Sequence, residues 1–74
     1  MSEKQPVHEI RLGRVTCAIW ENTTSQGIRH NVTFRRLYKA EEQWKSTDGF
    51  GRDDLHLVAK LAGLAETWIY EQGR

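Results

Sequence analysis

The 74-residue sequence has one cysteine, one proline and no apolar run long enough to cross a bilayer. A disulfide needs two cysteines, so Cys17 excludes an intrachain bridge and fits a reducing compartment. A transmembrane helix needs about 20 mostly apolar residues. The first ten residues, MSEKQPVHEI, lack the apolar segment of a signal peptide. These absences predict a cytoplasmic protein that does not enter a membrane.

The side-chain clusters that catalysis and metal binding require are also missing. His8, His30 and His56 fall in different predicted elements and lack the spacing of metal ligands. No nucleophile motif is recognisable. A chain of this length buries roughly 60% of its unfolded surface, which leaves little room for a deep pocket. We therefore expect a non-enzymatic protein without a metal, a cofactor or a small-molecule substrate.

Acidic residues are scarce between positions 10 and 39. Glu21 is the only one there, against six arginines and lysines, so this segment carries six minus one, or +5, in a chain whose total is +1. The basic charge lies on predicted strands and the acidic charge lies mainly on the predicted helix. Such an asymmetry indicates a polyanionic partner.

Apolar residues alternate with polar ones over the first part of the chain, which predicts strands. We expect strands at residues 7–12 and 14–21, because the alternation changes phase at Gly13, as it does at a bulge or a tight turn. The polar run NTTSQG, residues 22–27, predicts a hairpin loop before a long strand at residues 28–39. A turn at residues 40–42 and a strand at residues 43–47 complete an antiparallel meander.

From Asp53 the apolar period changes from 2 to 3.6, which predicts a helix. Asp53 and Asp54 suit its first turn as caps, and Phe50 suits an anchor that holds the preceding turn to the core. Two apolar stripes run along the surface of this helix, and together they are wider than one sheet can cover. The first contains Leu55, Val58, Ala62, Ala65 and Ile69, and the second contains Leu57, Leu61, Leu64 and Trp68. We expect the second stripe to contact another copy of the chain in a homodimer.

These patterns predict a single α+β domain over residues 1–74, with frayed ends at 1–6 and 72–74. A four-stranded curved antiparallel sheet is followed by one C-terminal helix through which the chain dimerises. The strand alternation turns Val15, Cys17, Ile19, Val32 and Phe34 towards the helix. The opposite face then carries Thr16, Ala18, Trp20, Arg29, Asn31, Thr33 and Arg35.

This outer face combines an aromatic ring with cations, which is typical of proteins that bind single-stranded nucleic acid by stacking and backbone neutralisation. Candidate binding residues are Trp20, Arg29, Arg35 and Lys45. Lys45 belongs to this set if Trp44 faces the core, whereas an outward Trp44 would be a second stacking ring. Two other interpretations remain open: an ordinary solvated face, or a protein partner docked on this face or on a free sheet edge.

The segments IRLGRVTCAIWEN and GIRHNVTFRRLYKAEEQWK, with the order of elements around them, resemble the transcriptional positive cofactor four family over about residues 8–70. The resemblance implies a dimer that binds single-stranded DNA and takes part in transcription regulation. The segment STDGFGRDDL departs from the family, whose basic segment before the helix contributes to the strand-binding surface. The chain also looks like short uncharacterised bacterial proteins with similar Trp-Lys-Ser-Thr-Asp and Gly-Arg-Asp-Asp-Leu runs.

Overall fold

The computed structural model describes residues 5–73 and confirms the predicted fold class. Four strands are followed by a 3-10 turn, Arg52–Asp54, and one helix. The strands are β1 (His8–Leu12), β2 (Val15–Thr24), β3 (Gly27–Ala40) and β4 (Gln43–Thr47), and the helix is α1 (Leu55–Gly73). Fraying was expected at both ends, and residues 1–4 and 74 lie outside the described residues. Gln72 and Gly73, also expected to fray, belong to α1.

The strands form one antiparallel sheet in the order β1-β2-β3-β4, and each connection is a two-residue turn. Gly13 has a φ of 59° and closes the first turn, which Leu12 and Val15 flank as paired residues. Its positive φ explains the change of phase in the sequence, because glycine adopts this conformation readily.

The predicted six-residue loop at 22–27 is wrong. Thr24 pairs with Gly27, so only Ser25 and Gln26 form the turn. The Thr24 hydroxyl accepts a hydrogen bond from the Gln26 N–H at 3.2 Å and donates one to the Gly27 carbonyl at 2.8 Å. A side chain that bonds to the turn backbone lets polar residues continue the strands where composition alone indicated a loop.

The last turn consists of Glu41 and Glu42, whose φ angles are 52° and 66°. Positive φ at both central residues is the geometry of a type I′ turn, whose twist suits a hairpin. The turn pairs Ala40 with Gln43 and Lys39 with Trp44, and so fixes the face that each β4 side chain occupies.

The core lies between one face of the sheet, the inner face, and α1. Val15, Cys17 and Ile19 of β2 are completely buried, as is Leu61 of α1, and Ala65 is 1% exposed. These five side chains form the centre of the core, and partly buried apolar side chains of the sheet and the helix pack around them. The alternation of the strands was therefore predicted correctly.

The predicted dimer stripe on the helix is wrong for Leu61, and two of its other three residues are partly buried in the chain's own core. Leu61 is fully buried against the chain's own sheet, and Leu57 and Trp68 pack beside it. Leu64 alone of this stripe is exposed, at 37%. The helix presents to the sheet a face midway between the two stripes, because Leu61 and Ala65 belong to different stripes and both are buried.

The connection from β4 to α1 is held by one carboxylate. Asp54 is 8% exposed, accepts a hydrogen bond from the Gly51 N–H at 3.3 Å and lies 3.5 Å from the Arg36 guanidinium. Arg36 also donates to the Gly49 carbonyl at 3.0 Å. Phe50 packs against the core, as predicted. The capping role holds for Asp54, whose position ties the start of the helix to β3.

Candidate nucleic-acid interface

The register of the sheet places three predicted binding residues on the face opposite the helix, here called the outer face. Trp20 pairs with Asn31, Arg29 with Asn22 and Arg35 with Thr16, and directly paired residues of an antiparallel sheet share a face. The fourth predicted residue does not join them. Lys45 pairs with Tyr38, so its side chain belongs to the inner face, and Trp44 belongs to the outer face. This result resolves the alternative between Trp44 and Lys45.

Hydrogen bonds fix the side chains of Trp20 and Arg35 on the outer face. The Trp20 indole N–H donates to the Thr33 hydroxyl at 2.9 Å. Arg35 Nη1 donates to the Ser46 hydroxyl at 2.7 Å, which leaves its other N–H groups available to a ligand. A depression of about 500 Å³ lies here, and Asp48 contributes one carboxylate to its lining.

A larger groove lies towards the β3–β4 turn, at the other end of the outer face. It encloses about 740 Å³ and is lined by Arg11, Gly13, Arg14, Leu37, Tyr38, Lys39 and Trp44. None of these lining residues is acidic, and three are cations. Trp44 is 68% exposed, although it is the kind of side chain that proteins usually bury. The groove therefore combines one exposed aromatic ring with three cations, of which Arg14 also lies 4.0 Å from the Asp54 carboxylate.

Sequence reasoning missed Arg11, Lys39 and Arg14 as members of a site. Lys39 follows Arg35 by four residues on one strand, so the strand period already placed both on one face. What the sequence left open was Trp44, because its face depends on the number of residues in the turn. A turn of two residues pairs Trp44 with Lys39. The turn predicted at 40–42 is one residue longer than the observed turn, and a change of one residue reverses the face of every β4 side chain.

The described part of the chain holds no group of three or more His, Cys, Asp or Glu side chains arranged for a metal ion. No helix within residues 5–73 combines the length and the apolar character needed to cross a membrane. Burial raises the pKa of the Cys17 thiol, which keeps it in its unreactive neutral form. The features that stand out chemically are the cations and rings of the outer face.

The charges on the outer face are mostly positive. The register assigns Arg11, Arg29, Arg35 and Lys39 to it against Glu9, a balance of four minus one, or +3. Two tryptophans share the same face. Comparisons with protein-family models, curated proteins and solved structures find no match to this chain, so the resemblance to the transcriptional positive cofactor four family remains a prediction.

Proposed function

We propose that the protein binds single-stranded nucleic acid, DNA or RNA, along the outer face of its sheet. The observation that carries the proposal is the groove that the exposed ring of Trp44 lines together with Arg11, Arg14 and Lys39. An unpaired base of any identity can stack on an aromatic ring, and cations neutralise the phosphates beside the base.

The two tryptophans define a path for the strand. The β3 neighbours of Trp20 and Trp44 are Asn31 and Lys39, eight residues apart along the strand. At a rise of about 3.4 Å per residue, this separation is about 27 Å. Arg35 lies between them on the same face. A strand of several nucleotides can therefore contact both rings, whereas a dinucleotide is too short.

Titration of a fluorescent oligothymidylate at two salt concentrations tests the proposal. Phosphate neutralisation releases counterions, so affinity should fall steeply as the salt concentration rises. Trp44→Ala should weaken binding by about 1–3 kcal/mol with little change in salt dependence, because stacking involves no counterion. Lys39→Ala should instead lower the slope of log affinity against log salt by about 0.7.

Lys45→Ala is the matched control. It removes the same side chain from the neighbouring strand, but from the opposite face of the sheet. Its affinity and salt slope should equal those of the unmodified protein. Equal losses from Lys39→Ala and Lys45→Ala would indicate non-specific attraction. Absence of binding at low salt would contradict the proposal and favour a protein partner.

A further inference from the structure

Within residues 5–73, part of β3 has a neighbouring strand on one side only. The strand runs from Gly27 to Ala40, but β4 pairs only with its residues 36–40. The segment 28–35 is paired with β2 alone among the residues that the structure describes. An unpaired strand edge of this length is a template for another strand.

The backbone groups that point out of this edge can be identified. The Leu37 N–H donates to the Arg14 carbonyl at 2.8 Å, so odd-numbered residues of β3 bond towards β2. Bonded and non-bonded pairs alternate in antiparallel sheets, and even-numbered residues therefore direct their N–H and C=O groups to the other side. At Arg36 to Ala40 that side is β4. At Ile28, His30, Val32 and Phe34 it is the free edge.

An apolar groove follows the same edge on the inner face. It encloses about 490 Å³ between β3 and α1 and is lined by Val32, Phe34, Ala62, Ala65, Glu66, Ile69 and Tyr70. Tyr70 at its rim is 73% exposed, and Ile28 at the end of the free edge is 60% exposed. Apolar side chains thus accumulate beside unpaired backbone, a combination that favours an added strand with apolar side chains of its own.

We propose that the occupant is a second copy of the chain, which pairs its own β3 antiparallel to this edge about a two-fold axis at Asn31. In this register Ile28 faces Phe34 of the second copy and His30 faces its Val32, so all four outward-directed residues are bonded. On the inner face the two helices lie side by side and Tyr70 of each covers the groove. The interface uses the same surface on both copies, as a closed dimer requires.

Charge distribution selects this register over its neighbour. With the axis at Asn31, Arg29 faces Thr33 of the second copy and Arg35 faces its Gly27. A shift that moves the axis to Val32 places Arg29 opposite Arg35, and directly opposed like charges destabilise a sheet. The same shift directs Ile28 to Arg36, whose edge is already occupied by Thr47. The free segment and the arginine spacing therefore agree on one arrangement.

Cysteine crosslinking together with sedimentation tests the arrangement in the full chain. The two Asn31 residues form a non-bonded pair in this register, with Cα atoms about 4.5 Å apart, within the range that a disulfide spans. Asn31→Cys should form a dimer on mild oxidation. Thr33→Cys, on the same strand and face, should not, because the two Thr33 positions lie on opposite sides of the axis. Buried Cys17 stays unreacted in both.

Two further substitutions separate this interface from the exposed side of the helix. Tyr70→Glu should shift sedimentation at micromolar concentration from dimer to monomer, whereas Leu64→Glu, at another exposed apolar position of α1, should leave the dimer intact. A monomer at every concentration would overturn the proposal, and so would a dimer that dissociates with Leu64→Glu or that crosslinks through Thr33→Cys. None of these results depends on nucleic-acid binding.

Discussion

Replacement of Glu42 by glycine should make the protein more stable, although glycine usually weakens a strand or a turn. Glu41 and Glu42 occupy the left-handed region, at φ angles of 52° and 66°. This conformation costs a residue with a Cβ roughly 1–2 kcal/mol. Glycine avoids that cost but loses about 0.5–1 kcal/mol of additional chain entropy on folding. The expected net gain is about 0.5–1 kcal/mol.

Thermal unfolding followed by circular dichroism measures this gain. In a domain of 60–100 residues, 1 kcal/mol corresponds to about 4–8 °C in Tm, so Glu42→Gly should raise Tm by about 2–8 °C. Glu42→Gln removes the charge and keeps the Cβ, and should leave Tm nearly unchanged. Glu9→Gly, in the extended conformation of β1, should lower Tm. The reasoning is refuted if Glu42→Gln stabilises as much as Glu42→Gly.

Two other substitutions test the core and the junction before the helix. Leu61→Ala should lower the free energy of unfolding by about 2–5 kcal/mol in urea titrations. Leu64→Ala, at a position that is 37% exposed, should lower it by less than about 1.5 kcal/mol. Comparable losses would contradict the observed orientation of the helix. Asp54→Asn should lower the free energy of unfolding by about 1–2 kcal/mol because it weakens the charge-assisted contacts with Arg36. The control is Asp53→Asn, which should leave Tm unchanged because the Asp53 side chain is 90% exposed.

Strand alternation predicted the sheet well because its period depends only on local geometry. The residues of β2 that face the core follow from parity, and Gly13 marks the phase change by its own conformational freedom. Turn length was harder to predict. The hydroxyl of Thr24 closes a turn that polar composition made look longer, and two glutamates form a turn that usually contains asparagine or glycine.

The helix and the binding face show where local reasoning ends. Either apolar stripe of the helix could pack on the sheet. The rotation of the helix about its own axis decides that Leu61 and Ala65 are both buried, and the helical period does not specify this rotation. The face of Trp44 depended in the same way on a turn whose length was not evident. Trp20, Arg29 and Arg35 could be placed from parity alone, whereas the groove around Trp44 required the completed register.

The buried thiol makes this protein a reporter of its own opening. Cys17 has no exposed surface and lies in the middle of β2, so an alkylating reagent reaches it only when the sheet separates from the helix. Because burial raises its pKa, the thiolate that reacts is also scarce while the fold is intact. The rate of Cys17 alkylation therefore reports how often the fold opens transiently, even in a crude cell extract. A ligand or a second copy that keeps the sheet packed on the helix will be detected as a lower alkylation rate.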